Sequence, residues 1–98
     1  EPAEVLHFLF GCVLQAGLGQ APARQAALGA GLCNATLCST VNKMCGSCMQ
    51  NVIMAHDLLM ADSSAVVVAG GMESMSNAHY LLDRARSGFR MVHGKVLD

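Results

Sequence analysis

Cys45 stands where the strand-like run Ser39-Thr40-Val41-Asn42-Lys43-Met44 gives way to a helical pattern, and Cys48 follows it by one helical turn. A thiol at such a join has several chemical uses. It can be a nucleophile, one half of a redox pair, a metal ligand, or a small buried residue. The free amides and aligned dipole of a helix N-terminus stabilise an anion, which favours the thiolate and its reactivity. The same amides can hold the oxyanion that forms when a carbonyl is attacked there. Gly46, without a β-carbon, lets that carbonyl come close.

Cys45-Gly46-Ser47-Cys48 is also a C-x-x-C opening a helix after a strand, the setting of a thioredoxin-like redox motif. No aromatic precedes Cys45, and Ser47 stands where that motif commonly has proline, so Cys48 also fits as a small apolar packing residue. Cys33, Cys38, Cys45 and Cys48 offer four thiols for a tetrathiolate metal site. Their convergence would need a knuckle that the hydrophobic pattern does not show, and we expect no metal. Gly17 and Gly19 suggest a phosphate loop, but a third glycine and a Walker lysine are missing.

The elements that must position Cys45 follow from periodicity. Glu4 to Val13 reads as a strand interrupted by His7, which is expected at an edge or on the surface. Gln15–Gln20 is a glycine-containing loop, and Pro22 opens a helix through Leu28 that Gly29 and Gly31 end. Leu32–Leu37 is a connector and Ser39–Lys43 a second strand. From Gly46 to about Ala61, residues Cys45, Cys48, Met49, Val52, Ile53, His56, Leu59 and Met60 recur at helical spacing and are expected to share a packed face, His56 with them. Asp62-Ser63-Ser64 is expected to stop that helix. Ala65–Ala69 is the apolar run of a central strand covered on both faces, closed by Gly70-Gly71. The alternation of strand and helix predicts an α/β fold with a mainly parallel sheet, which places Cys45 and Gly70-Gly71 at the C-terminal strand ends, where such sheets carry chemistry. Beyond Tyr80, residues 80–98 read as the start of an extended loop region.

Composition narrows the partners. The chain of 98 residues is 53% hydrophobic and 13% charged, with net charge −1, enough for one domain at most and without the basic footprint of a nucleic-acid or anionic-membrane binder. The uncharged stretch Gln25–Asn42 is broken by glycines and hydroxyl residues and lacks the apolarity of a membrane span. Five cysteines without a visible export signal point to a reducing compartment, and we expect a cytoplasmic location. The chain begins at Glu1 and ends on Val96-Leu97-Asp98, and we expect it to be a piece of a longer protein.

With these residues in view, Val41-Asn42-Lys43-Met44-Cys45-Gly46-Ser47 resembles the nucleophile segment of thiolases, the acetyl-CoA acetyltransferases. Val13–Gln20, continuing through Pro22–Ala27, resembles the loop and helix before it. Val68-Ala69-Gly70-Gly71-Met72-Glu73-Ser74-Met75-Ser76 resembles the strand and signature loop after it. The resemblance extends from about Glu4 to Asp98 and implies a partial thiolase N-terminal domain over residues 1–98. It further implies that Cys45 is the acyl-accepting nucleophile, its amide contributing to an oxyanion hole. Coenzyme A would then be a substrate rather than a resident cofactor, and acetyl-CoA or a 3-oxoacyl-CoA the partner, in acetoacetyl-CoA synthesis or thiolysis.

The activating histidine and second cysteine of the family lie in a C-terminal half not present in these residues, so this chain alone is expected to be inactive. The resemblance also implies a homodimer formed through the strand Ser39–Lys43, and a tetramer through the segment from Arg84 to Asp98. Three positions depart from the family pattern: Cys48 replaces a glycine, Cys12 an asparagine, and Val92 a glycine. Cys48 is expected to crowd the acyl pocket or to pair with Cys45. A chain of this kind, with an unpaired strand edge and an uncovered face, is expected to be prone to aggregation.

Overall fold

A computed structural model describes residues 1–61 and 66–98. After a 3₁₀ turn at Pro2–Glu4 come β1 (Val5–Gly11), α1 (Pro22–Gly29), β2 (Leu37–Val41), α2 (Ser47–Ala61) and β3 (Val66–Gly71), and then a second 3₁₀ turn at Met75–Asn77. The strands form one parallel sheet in the order β2-β1-β3. The fold is therefore α/β, with a small parallel sheet and helical crossovers, as the alternation of periodicities predicts.

The sheet order revises two expectations. The apolar run of β3 is an outer strand and half exposed, not the central one. The centre is β1, so His7 is a half-buried residue of the middle strand, paired with Leu37 on one side and Val67 on the other. An outer strand and an inner one share the same β-branched, apolar signature, because that signature reports burial of faces and not of edges. Strand ends also move. β2 begins and ends two residues earlier than expected, because Asn42 and Lys43 are taken into the turn before α2. β1 stops at Gly11, and β3 runs on through Gly70 and Gly71, which pair with Phe10 and Gly11. The Asp62-Ser63-Ser64 stop signal and Ala65 lie outside the described residues.

Each face of the sheet carries one helix. Phe8 on β1 packs with Ala23 and Ala27 of α1, and Phe10, Leu32, Cys38 and Val68 close around them. Phe8 and Phe10 stack with ring centroids 4.3 Å apart. Leu9, between them in a strand of period two, is buried on the side of α2. Pro22 opens α1 as expected, and the helix closes with the Leu32 amide bonded to the Ala27 carbonyl at 3.0 Å and Gly31 at φ +84°, a conformation that favours glycine.

α2 rests on β1 and β3 through a face of small and polar residues, Ser47, Asn51 and Ala55. Asn51 is fully buried, and its Nδ2 donates to the Gly70 carbonyl at 3.0 Å. The face expected to pack is the open one: Met49, Val52 and Met60 are 72%, 58% and 74% exposed. His56 is exposed as well and faces Asp57 at 3.3 Å, not the core. Helix and sheet approach closely only where side chains are small, so the narrow face docks and the bulky one is left outward. From Tyr80 onward the chain has no helix or strand among the described residues. A single antiparallel bridge joins Leu81 to Leu97, with backbone bonds of 2.8 and 2.9 Å.

Candidate active site

The turn that presents Cys45 is built by the residues on either side of it. Met44 takes the left-handed conformation at φ +51°, and its amide donates to Asn42 Oδ1 at 3.1 Å. The Gly46 amide closes back on the Lys43 carbonyl at 3.0 Å, and the Ser47 amide on that of Met44 at 3.2 Å. Ser47 Oγ, buried at the first turn of α2, accepts the Lys43 amide at 2.8 Å and donates to the Met44 carbonyl at 2.6 Å. One hydroxyl thus ties both sides of the turn, on which Cys45 is exposed.

The first intrahelical bond of α2 runs from the Gln50 amide to the Gly46 carbonyl at 2.9 Å. The amides of Cys48 and Met49 precede it, in the first turn, where N–H groups lack helical partners. The sheet receives this turn because Gly11 and Gly71, paired across β1 and β3, carry no side chain. A β-carbon on Gly11 would meet Ser47 Cβ at 2.7 Å, and one on Gly71 would collide with Cys48 Sγ.

Cys45 and Cys48 both line an open cleft of about 500 Å³, with Met44, Leu14, Met72 and Met75 as apolar walls. Both thiols are exposed and free. On the far wall Glu73 bridges two loops: its carboxylate accepts the Val13 amide at 2.9 Å, the Leu14 amide at 2.8 Å and the Cys12 thiol at 3.7 Å. These amides, Val13 first, hold the Glu73 carboxyl below its ordinary pKa against a smaller opposing effect of burial. Burial, then the charge of Glu73 and its hydrogen bond to the thiol, push Cys12 up. A buried thiol kept protonated is a poor nucleophile, so the chemistry falls to the cleft.

The other candidates separate. Cys38 packs against the Phe8 cluster at the N-terminal end of β2, with Cys33 on the connector before it, at the far end of the sheet from Cys45. Among the described residues no three potential ligands gather around a metal position. Gly17 and Gly19 have positive φ values of 78° and 82°. Their loop is spanned by Gln25 Nε2, which donates to the Leu18 and Gln20 carbonyls at 2.7 and 2.6 Å, and His79 packs against Gly17. These glycines serve a turn and a close contact, not a phosphate. No helix among the described residues is long and apolar enough to cross a membrane.

The sequence places Ser47 and Glu73 inside thiolase-like segments without a role for either, and Asn51 is not singled out. Ser47 carried a signal, a hydroxyl residue at a helix start where it can bond backbone groups. The bridging roles of Asn51 and Glu73 had no local signal, because their partners Gly70, Val13 and Leu14 are distant in the chain.

Comparison with known proteins converges on one family. The model of the thiolase N-terminal domain matches residues 1–98. Acetyl-CoA acetyltransferase 2 of Arabidopsis thaliana is 53% identical over 98 residues, covering 100% of this chain and 24% of its own length. The acetyl-CoA acetyltransferase of Escherichia coli K12 is 53% identical over 91 residues, covering 92% of this chain and 23% of its own. A crystal structure of the Bacillus anthracis acetyl-CoA acetyltransferase superposes with a TM-score of 0.92 at 38% identity, over 100% of this chain and 25% of that one. The chain thus spans about a quarter of the length of these relatives.

Proposed function

The chain belongs to the thiolase N-terminal domain family, and we propose that it supplies the nucleophile of an acetyl-CoA acetyltransferase, Cys45. The observation that carries this is the seat of Cys45, an exposed thiol on a braced turn, in an apolar cleft and beside the unbonded amides of a helix start. The Cys45 thiolate attacks the thioester carbonyl of acetyl-CoA. The tetrahedral oxyanion is met by the Cys45 amide, in a site where such donors are worth several kcal/mol, roughly 2.7–4 for one donor. Collapse breaks the carbon–sulfur bond to coenzyme A, which leaves as its thiolate, and the acetyl group stays on Cys45 as a thioester. The α-carbanion of a second acetyl-CoA then attacks that thioester, giving acetoacetyl-CoA and freeing the Cys45 thiolate. Thiolysis of a 3-oxoacyl-CoA is the reverse. Coenzyme A enters and leaves as substrate, and its location in the cell is taken as a reducing compartment such as the cytoplasm.

Neither direction runs without a base to take and return protons, and base assistance is worth about 10²–10⁴ in rate. Among the described residues no histidine lines the cleft. We therefore expect the 98-residue chain to lack turnover, and the full-length protein carrying it, a homodimer or tetramer, to have it. The test is incubation of the full-length protein with acetyl-CoA, acid quench and intact-mass analysis. A gain of one acetyl group that maps to Cys45 and vanishes in Cys45→Ser supports the proposal. Acylation at another residue, or none, overturns it.

A further inference from the structure

The cleft holds a second thiol that acetyl transfer does not use. Cys45 lies just before α2 and Cys48 is its second residue. The backbone between them is closed into tight turns by the Gly46–Lys43 and Ser47–Met44 bonds. Residues three apart in a helical turn have β-carbons about 5–6 Å apart. A disulfide spans Cα separations of about 4.4–6.8 Å and draws its β-carbons to about 3.5–4.5 Å, which a small adjustment of a turn with Gly46 at its centre can supply. Both thiols are exposed and line the same open cleft. The remaining three are out of reach or engaged: Cys12 is buried against Glu73, while Cys33 and Cys38 stand at the opposite end of the sheet. Cys48 Sγ rests over Gly71, at the wall of the cleft that Cys45 also lines, so pairing requires rotation about its Cα–Cβ bond.

We infer that Cys45 and Cys48 form a peroxide-sensitive thiol pair, in which Cys48 resolves oxidised Cys45 into a reversible disulfide. The Cys45 thiolate attacks one oxygen of hydrogen peroxide, the O–O bond breaks, and Cys45 sulfenic acid and water result once a proton is taken up. The Cys48 thiol then attacks that sulfur, the S–O bond breaks and a second water leaves. Two thiols and one peroxide thus give one disulfide and two waters. Without Cys48 the sulfenic acid is open to further peroxide and passes to the sulfinic acid, which thiols do not reduce. The pairing stands on the cleft geometry alone. Its consequence, that the disulfide reversibly masks the acyl-accepting nucleophile, rests on the function proposed above.

The experiment treats the full chain with hydrogen peroxide, quenches with an alkylating agent and maps peptides by mass. The expected product is a Cys45–Cys48 link with a loss of two hydrogens, reversed by dithiothreitol, and formed faster in the folded chain than in urea. In Cys48→Ser, and in Cys48→Gly as a second variant, Cys45 is expected to accumulate as sulfinic acid that dithiothreitol does not recover, at least about tenfold above the unsubstituted chain. Far-UV circular dichroism verifies that each variant is folded. Cys45 linked to another cysteine, or over-oxidised equally with and without Cys48, overturns the inference. Acetylation of the reduced full-length protein is measured alongside. Acetylation without the link defeats the pair and spares the nucleophile, and a link without acetylation does the opposite.

Discussion

Cys48 sets its sulfur directly over Gly71, in space that exists only because residue 71 has no β-carbon. Gly71 pairs with Gly11 across β3 and β1, and Gly11 in turn lies under Ser47. The first turn of α2, which presents Cys45, is therefore seated in a dent two glycines wide. Gly11→Ala is expected to lift that turn and to cost about 1–3 kcal/mol as overpacking, whereas Gly71→Ala is expected to cost less, because Cys48 Sγ can rotate aside. Gly29→Ala, at the end of α1 with nothing within 4 Å of the added carbon, is the control and is expected to be neutral or to stabilise by about 0.5–1 kcal/mol. Urea unfolding reads the stability, and the alkylation rate of Cys45 reads the displacement. Equal midpoints for Gly11→Ala and Gly29→Ala would refute the dent.

Glu73 fastens the loop after β1 to the loop after β3. Its folded carboxyl titrates below its ordinary value because the ionised form accepts the Val13 and Leu14 amides. The sign follows. A depressed carboxyl contributes stability that is complete above its unfolded pKa of about 4.3 and lost as pH falls through the lower folded value. Stability of the unsubstituted chain is expected to decline in that acid window more steeply than that of Glu73→Gln, so that the gap between them narrows below pH of about 4. Urea midpoints measured from neutral pH downward test this, and parallel curves would show that the carboxylate charge plays no part.

The strand–helix alternation, the ends of α1 and the placing of Cys45 at the sheet's C-terminal edge were legible because each depends on neighbours in sequence: Pro22, Gly31 and the shift of period after Lys43. What was not legible depends on contacts between distant residues. The central place of β1 follows from which strands pair, and nothing in Val5–Gly11 distinguishes it from Val66–Gly71. The apolar periodicity of α2 was read correctly as a stripe and wrongly as the packed side, because Gly11 and Gly71 select a small face. Glu73 falls in a thiolase-like segment, but its bridging role had no local signal, its partners lying 59 and 60 residues away.

The five thiols are expected to react in an order set by burial and not by sequence. Cys12 is 1% exposed, and burial together with Glu73 keeps it protonated, whereas Cys33, Cys45 and Cys48 are exposed. With limiting iodoacetamide at neutral pH, Cys12 is expected to be labelled roughly tenfold or more slower than the exposed three, since it must wait for local opening and for thiolate formation. Urea is expected to erase the difference. Peptide mapping of a time course checks it, and early labelling of Cys12 in the folded chain would mean that the Glu73 bridge is open in solution.

The outward stripe of α2 makes a prediction about solubility. Met49, Val52 and Met60 form an apolar surface on a helix whose other side is already docked through Ser47, Asn51 and Ala55. Exposed apolar patches drive association. Charged residues at surface helix positions usually alter stability by no more than about 0.5 kcal/mol. Met49→Glu combined with Val52→Lys is therefore expected to leave the unfolding midpoint of this chain nearly unchanged while raising the concentration at which it stays monomeric. The same charges on the docked side, as in Ala55→Glu, are expected to unfold the chain, because burying an unpaired carboxylate against β1 and β3 is prohibitive. Light scattering against concentration, read beside urea unfolding, separates the two cases. Loss of stability in the double variant would show that the stripe is packed in solution and that α2 docks by the opposite face.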